Sequence, residues 1–197
     1  EQAGPSLVSG MAFKRRIQAA LEFKQESEAL VPLDTINLPE GFVGCSDTDR
    51  WPKYLRERFA LNASIPKDFG IGWCERGYFR NRLIVPIYLH GKLVSFVARA
   101  MWAPCSKCSG DGCSACGDVP YRKVLYPKGP KTGNILFNYD SAKCFAEVVL
   151  TEGVLDAMAV GSKGMAVLGS RLSKEQLALL TATSATEVVV LLDPDDA

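Results

Sequence analysis

The last 51 residues alternate short apolar runs with helix-forming runs, and this alternation constrains the fold more than any other feature. The runs VVL, MAVL and EVVVLL are separated by amphipathic segments that begin at Gly153 and Ser173. Strands that alternate with helices in this way predict a parallel sheet covered by helices. Ser173 and Gln176 form a capping box at the start of the second helix. The sequence therefore predicts a small parallel α/β module over residues 146–197.

Acidic residues follow two of the three predicted strands at the point where each strand ends. Glu152 and Asp156 come after the first strand, and Asp193 and Asp195 come after the last. The carboxyl ends of parallel strands form one ligand-binding edge, so we expect all four carboxylates there. Clustered carboxylates repel each other and are usually tolerated because a divalent cation binds between them. The structural alternative is that Glu152 and Asp156 complement a helix amino terminus, while 193–196 form a terminal turn.

The net charge of +1 conceals an asymmetry along the chain. Between Arg76 and Lys131, ten basic residues stand against two acidic ones, and from Glu147 onwards three basic residues stand against eight acidic ones. A basic segment followed by an acidic one suits a protein that holds a polyanion beside a divalent metal. The same asymmetry is also compatible with two solvated faces of opposite charge.

The middle of the chain has the pattern of a β-rich module. The runs RLIVPIYLH and LVSFVAR flank Gly91-Lys92 and predict a hairpin, and YRKVLYP predicts a further strand. Upstream, Met11–Leu30 and Trp51–Leu61 are predicted helices. The fold class predicted is α/β: an α+β N-terminal subdomain with a mixed sheet, followed by a truncated parallel α/β module.

The acidic motifs resemble a known signature. Glu152-Gly153-x-x-Asp156 after one strand and Asp193-x-Asp195 after another resemble the Toprim domain. The intervening VLGSRLSKEQLALL, and upstream FGIGW, RLIVPIYLHGKLVSFVAR, YRKVLYP and ILFN, are similar to DNA primases of the bacterial and bacteriophage DnaG type. The resemblance covers the chain from about residue 50 to residue 197, apart from a cysteine-bearing insertion.

The resemblance implies a role for each acidic residue. Glu152 is the expected catalytic acid, which manages proton transfer. Asp193 and Asp195 are expected to hold Mg²⁺ or Mn²⁺, with Asp156 in support. Such a site acts through charge stabilisation and positioning.

The resemblance also implies a basic ridge that grips template and nucleotide phosphates. Arg82, Arg99 and Lys123 match it, and the surrounding basic segment adds Arg122, Lys128 and Lys131 as candidates. Phosphate neutralisation of this kind gives sequence-tolerant, salt-sensitive binding. Aromatic side chains are interleaved with these residues and either stack on bases or belong to the core: Tyr78, Phe79, Trp102, Tyr121 and Tyr126.

Four of the seven cysteines lie within twelve residues. Cys105, Cys108, Cys113 and Cys116 form two C-x-x-C knuckles, with glycines that permit the turns between them. Four thiolates predict a closed, structural Zn²⁺ site, while disulfides or an iron–sulfur cluster are the alternatives. The odd cysteine count and the clustering favour a reducing compartment.

Together with these residues, the resemblance implies a DNA primase catalytic core, a nucleotidyltransferase that makes short RNA primers. Its expected partners are a single-stranded DNA template, ribonucleoside triphosphates and a replicative helicase. The alternatives are a non-catalytic, zinc-containing module that binds single-stranded DNA, and a Toprim nuclease. No apolar run is long enough for a membrane span and no secretory signal is evident, so we expect the cytoplasm of a bacterial or phage-infected cell.

Three regions are expected along the chain. Residues 1–45 are an N-terminal helix and linker, 46–145 a primase-like subdomain with the basic sheet, and 146–197 a partial Toprim module. The zinc-knuckle insertion occupies 103–119. We expect no zinc-binding template reader ahead of the core, and we expect the parallel module to be incomplete after Asp195. We therefore expect a fragment of a longer polypeptide, or completion of the sheet by another chain.

Overall fold

A computed structural model describes residues 34–45, 65–129 and 131–191. The two predicted helices at Met11–Leu30 and Trp51–Leu61 lie outside the described residues, and so do Asp193 and Asp195. The described part contains two sheets, one of five strands and one of three. The α/β fold class predicted from the sequence is confirmed.

The first sheet contains the β-rich middle of the chain. Its strands lie in sequence order, and every neighbouring pair is antiparallel. We expected a mixed sheet, and the described strands instead pair in the antiparallel manner throughout. A short helix, α1 (Ile65–Asp68), precedes the second strand. The strands are β1 (Phe42–Gly44), β2 (Gly72–Cys74), β3 (Arg82–Leu89), β4 (Lys92–Ala100) and β5 (Val124–Leu125).

The hairpin of β3 and β4 forms the centre of this sheet. Its two turn residues, His90 and Gly91, have φ angles of 53° and 73°, which is the pattern of a tight hairpin turn that matches strand twist. The carboxylate of Asp140 accepts hydrogen bonds from both turn amides, at 2.9 and 2.8 Å. Pro86 pairs with Phe96 of β4 and lies beyond the last residue that β2 contacts. The missing amide of this proline is therefore tolerated in a central strand.

The second sheet is parallel, as the alternation of strands and helices predicts. Its strand order is β7–β6–β8, with β6 in the middle. The elements follow one another as α2 (Tyr139–Ala142), β6 (Glu147–Thr151), α3 (Val154–Val160), β7 (Gly164–Ala166), α4 (Lys174–Thr181) and β8 (Glu187–Leu191).

One apolar core joins the two sheets. Alternate residues of β3, such as Leu83 and Val85, are buried in the same cluster as Val148 and Met158 of the parallel module. The other face of the first sheet has a smaller cluster of its own, formed by Cys74, Ile84, Phe96 and Ala98. Because side chains alternate along a strand, the two clusters cover opposite faces of the first sheet.

Gln176 fixes the start of α4 and ties it to the rest of the module. Ser173 and Gln176 exchange the two hydrogen bonds of the predicted capping box, at 3.0 and 3.1 Å. The side-chain nitrogen of Gln176 is fully buried and contacts the carbonyl oxygens of Thr132, Ile135 and Val167. The residue therefore holds together three segments that surround the core.

Within the described ranges, none of the helices has the length and apolar character that a membrane crossing requires.

Candidate functional site

Glu152 and Asp156 lie at the carboxyl end of β6, where the sequence predicts an acidic edge. Glu152 is half-buried and follows the last residue of β6, and Asp156 lies in the first turn of α3. Gly153 separates the strand from the helix. A Cβ atom at Gly153 would come within 2.8 Å of Asp156 Oδ2, so the Asp156 carboxylate folds back over the glycine. The glycine thus lets this carboxylate lie close to the end of the strand.

The strands beside β6 end level with it. Thr151, the last residue of β6, pairs with Ala166 of β7 and with Leu191 of β8. In the sequence, Leu191 stands two positions before Asp193, and Thr151 stands directly before Glu152. The carboxyl ends of the described strands β6 and β8 therefore lie at the same edge of the sheet.

Leu168 connects this acidic edge to the first sheet. Its amide donates to the carbonyl oxygen of Glu152 at 3.0 Å, and its own carbonyl oxygen accepts from the Tyr126 hydroxyl at 3.4 Å. The φ angle of Leu168 is +63°, a left-handed conformation that is uncommon for a bulky residue. Strained backbone of this kind clusters at functional sites. Neither the strain nor the Tyr126 contact has a signal in the sequence.

The predicted basic residues occupy different surroundings. Arg122, Lys123, Lys128 and Lys131 are exposed, Arg99 is half-buried and Arg82 is buried. These six residues therefore do not form one uniformly exposed surface.

Arg82 and Arg99 lie on opposite faces of the first sheet. Arg82 pairs with Ala100, on the face of the smaller apolar cluster, whereas Arg99 pairs with Leu83, on the face that packs against the parallel module. The sequence places both residues at one end of the hairpin, and the register of the strands separates them.

Arg82 is held in place by the backbone and by one aromatic ring. It is 7% exposed, and its Nη1 atom donates to the carbonyl oxygens of Ala98 and Arg122 at 3.3 and 2.8 Å. The guanidinium carbon lies 5.0 Å from the centre of the Trp102 ring, in cation–π contact. Desolvation by burial lowers the pKa of this guanidinium from its usual value.

The aromatic residues that the sequence places among these basic residues also differ from one another in exposure. Tyr78 and Trp102 are exposed, at 79% and 44%, while Phe79 packs against the smaller apolar cluster. Burial raises the pKa of Tyr126, which lies against the larger core. Trp102 is thus the one of these aromatics that combines an exposed ring with direct contact to a predicted basic residue.

The four clustered cysteines converge on one point. Their sulfur atoms lie within 4.8 Å of one another, and the Cys108–Cys116 and Cys113–Cys116 sulfur distances are 3.8 and 3.7 Å. A tetrahedral site with Zn–S bonds of about 2.3 Å requires sulfur atoms about 3.8 Å apart. The donor set and its spacing therefore fit Zn²⁺, with all four positions taken by protein ligands.

The surroundings of two of these thiols shift their pKa values in opposite directions. The amide of Gly110 is the main cause that lowers the pKa of Cys108 to about 7, against a smaller desolvation effect. At Cys116 an amide donor from Cys113 acts in the same direction, but desolvation and the neighbouring thiols raise the pKa to about 11. A thiol group at Cys108 that ionises near neutral pH suits a metal ligand, because the thiolate is the form that binds.

The chain is similar in sequence to a DNA primase and similar in fold to solved primase structures. No family model matches the chain. A curated DNA primase from Synechococcus elongatus is 30% identical over 156 residues, which is 72% of this chain and 19% of that protein. The chain therefore spans about a fifth of the length of that relative.

Solved structures of primases share the fold. The Aquifex aeolicus primase, in its zinc-binding and RNA polymerase domains, has a TM-score of 0.59 at 18% identity and matches 91% of this chain and 47% of its own. The RNA polymerase domain of Mycobacterium tuberculosis DnaG has a TM-score of 0.58 at 20% identity, over 92% of this chain and 67% of its own. A DnaG catalytic domain bound to single-stranded DNA has a TM-score of 0.54 at 17% identity, over 93% and 65% of the two chains.

Proposed function

Because this chain is related in sequence to a bacterial DNA primase and has the fold of DnaG catalytic cores, we propose that it carries the nucleotidyltransferase site of a DNA primase. In this proposal it synthesises short RNA primers from ribonucleoside triphosphates on a single-stranded DNA template. The observation that supports it most is the level register of β6 and β8, the two strands that precede the acidic motifs. Their carboxyl ends share an edge, which is where open α/β sheets bind ligands, and carboxylates brought together there can hold a catalytic metal ion.

We assign the acidic residues as follows. Asp193 and Asp195, with Asp156 in support, hold Mg²⁺ or Mn²⁺, which neutralises charge on the triphosphate when it is bound. Glu152 manages the proton of the attacking 3′-hydroxyl. Its backbone carbonyl accepts from Leu168, which fixes the residue at the strand end, while its half-buried side chain stays accessible to a substrate.

The basic segment supplies phosphate contacts in this proposal. Four basic residues are exposed and lie close together in the sequence: Arg122, Lys123, Lys128 and Lys131. Exposed cations in one short segment can contact the phosphates of a flexible polyanion. The Tyr126 hydroxyl contact to Leu168 is direct support, because it fixes this segment beside the acidic edge. One of the structural neighbours is a DnaG catalytic domain bound to single-stranded DNA, which motivates the choice of template.

The cysteine loop has a structural role in this proposal. Zn²⁺ held by the four thiolates replaces a hydrophobic core in a segment that has almost none, because Ser114–Cys116 contains no buried residue. We also place the boundary between the two modules at residues 145 and 146, directly before β6.

Primer synthesis on single-stranded DNA, with labelled ribonucleotides and Mg²⁺ or Mn²⁺, tests the proposal. Glu152→Gln is compared with wild type and with Glu175→Gln, an exposed glutamate in the first turn of α4. We expect synthesis by wild type and by Glu175→Gln, and a loss of at least about 100-fold in Glu152→Gln.

A second candidate is a non-catalytic, zinc-containing module that binds single-stranded DNA. The observation that favours it is that the cysteine loop, with the exposed Arg122 and Lys123, connects β4 to β5 of the first sheet and so belongs to a different module from Glu152 and Asp156. Absence of synthesis by every variant, with single-strand binding intact, overturns the catalytic proposal and supports this one. DNA cleavage that depends on Glu152, without synthesis, identifies a nuclease instead.

A further inference from the structure

A cavity of about 360 Å³ lies between the four-cysteine loop and the end of the first sheet. This volume is at the small end of the range for small-molecule sites and suits a single nucleotide unit. One wall comes from the sheet and its continuations, and the other comes from the loop. The lining residues that matter here are Arg82, Trp102, Tyr121 and Arg122 on the first wall, and Gly110 and Val119 on the second.

Arg82 brings a positively charged guanidinium group to this cavity. Its side chain is 7% exposed, and no carboxylate within the described ranges forms an ion pair with it. Its hydrogen bonds to protein use Nη1 alone, so Nε and Nη2 have no protein partner in the same ranges. A desolvated guanidinium is costly unless an anion compensates it, and phosphate is the anion that its planar donors match best.

Trp102 gives the same cavity an aromatic surface. The ring is 44% exposed although Arg82 packs against it at 5.0 Å. Tyr121 meets the indole edge-on, with ring centres 6.4 Å apart, and its hydroxyl donates to the Trp102 carbonyl at 3.1 Å. The indole is therefore held in position by its neighbours while part of it remains open, as a platform for base stacking requires.

The cysteine loop determines the distance between the two walls. The Tyr121 amide donates to the Gly110 carbonyl at 2.7 Å. Gly110 has a φ of 101°, and a Cβ atom there would lie 3.1 Å from Tyr121 Cβ and 3.2 Å from Pro104 Cβ. The loop thus approaches Tyr121 as closely as a glycine allows, and the conformation that gathers the four thiols also shapes the cavity.

We propose that this cavity binds a nucleobase together with its adjoining phosphate, the base on Trp102 and the phosphate at Arg82 and Arg122. The inference deepens the proposed function and rests on it, since it assumes a nucleic-acid or nucleotide substrate. A base and a phosphate occur both in single-stranded DNA and in a free ribonucleoside triphosphate. The test therefore has one arm for each source.

The test is the affinity of a fluorescent oligothymidylate and, separately, of a fluorescent ribonucleoside triphosphate, both measured by anisotropy. Trp102→Leu removes the stacking surface, Trp102→Phe keeps an aromatic ring, and Tyr88→Leu is the matched control. Tyr88 is also 44% exposed but does not line the cavity. We expect Trp102→Leu to weaken binding in one arm by about 10-fold, Trp102→Phe to restore most of it, and Tyr88→Leu to match wild type.

A second pair of variants covers the case in which Trp102→Leu fails to fold. Val119 lines the cavity and is 69% exposed, so its substitution leaves the core intact. Val119→Glu should weaken binding several-fold by repelling phosphate, whereas Val119→Gln, of the same size, should not. The arm that responds identifies the source of the ligand.

Unchanged affinity in both arms for the Trp102 and Val119 variants overturns the inference, and so does a wild-type chain that binds neither probe. Failure of the proposed function gives a different result. In that case wild type makes no primers, but binding that depends on Trp102 persists.

Discussion

The Tyr126 hydroxyl donates to the carbonyl oxygen of Leu168 across 3.4 Å, and this contact joins the basic segment to the acidic edge. Leu168 in turn donates its amide to Glu152, so two hydrogen bonds separate Tyr126 from the proposed catalytic residue. At the site itself, the basic segment and the acidic edge are thus linked through one loop residue with an uncommon backbone conformation.

Tyr126→Phe removes the hydroxyl of this contact and keeps the ring. We expect the free energy of unfolding to fall by about 1 kcal/mol, because a half-buried carbonyl loses its donor. Urea unfolding measures the change. Tyr88→Phe removes an exposed hydroxyl and should have no effect. Equal stabilities of the two variants would show that the long hydrogen bond contributes nothing.

Gln176→Ala should destabilise the protein by about 3 kcal/mol, because it removes a buried amide that contacts three carbonyl oxygens and half of a capping box. The measurement is the urea midpoint and slope. Lys174→Ala, two residues earlier in the same helix and exposed, should change stability by less than about 0.5 kcal/mol. A loss below 1 kcal/mol for Gln176→Ala would contradict the role we give it.

Asp140 should make the stability depend on pH in the acid range. Partial burial opposes its ionisation, but the amides of Gly91 and His90 and the Lys143 ammonium prevail, so its pKa falls below the ordinary 3.8. A lowered folded pKa means that the ionised carboxylate stabilises the fold above pH 3.8, and that this contribution is lost as the pH falls through the folded value.

Asp140→Asn should accordingly cost about 1 kcal/mol at pH 7, with a difference from wild type that shrinks below pH 3.8. Urea unfolding from pH 3 to pH 7 tests this. Asp111→Asn changes an exposed carboxylate in the cysteine loop and serves as the control. A difference between Asp140→Asn and wild type that stays constant with pH would exclude the linkage.

Four thiolates should bind one zinc ion per chain. We expect elemental analysis to give about one zinc for wild type and for Cys144→Ser, whose cysteine is exposed and outside the cluster. Cys108→Ser should lose most of the metal, and chelation of wild type should lower its melting temperature. Full zinc content in Cys108→Ser, or iron in place of zinc, would contradict the assignment.

Lys128 should contribute to strand binding through charge alone. Removing one phosphate contact to a single strand reduces the slope of log affinity against log salt concentration by about 0.7. Lys128→Gln should therefore show a shallower slope than wild type. Lys67→Gln, which changes an exposed lysine of α1, should keep the wild-type slope. Identical slopes in all three proteins would remove Lys128 from the binding surface.

The sequence pattern was sufficient to predict the strands and helices of the parallel module, because each signal comes from residues that are near neighbours in the chain. The alternation of strands and helices, the Ser173–Gln176 capping box and the spacing of the cysteines all concern residues close together in the chain. The structure has each of these features where the sequence predicts it.

The surroundings of Arg82 could not be predicted in the same way. Its burial, its contact with Trp102 and its separation from Arg99 depend on the register between β3 and β4, which a sequence pattern does not specify to one residue. The Leu168 contact likewise depends on packing between the two sheets. The roles of Asp193 and Asp195 stay predictions, because these residues lie outside the described part of the chain.

The placement of Arg82 and Arg99 on opposite faces of one sheet limits how a polyanion can be held. Their side chains leave the backbone on opposite sides, so each arginine meets a polyanion from its own face of the sheet. A nucleic-acid strand that contacted both arginine side chains would have to bend around the end of the sheet, where β4 ends at Ala100. The two arginines would then contact different nucleotides, and substitution of one would leave the phosphate contact of the other in place.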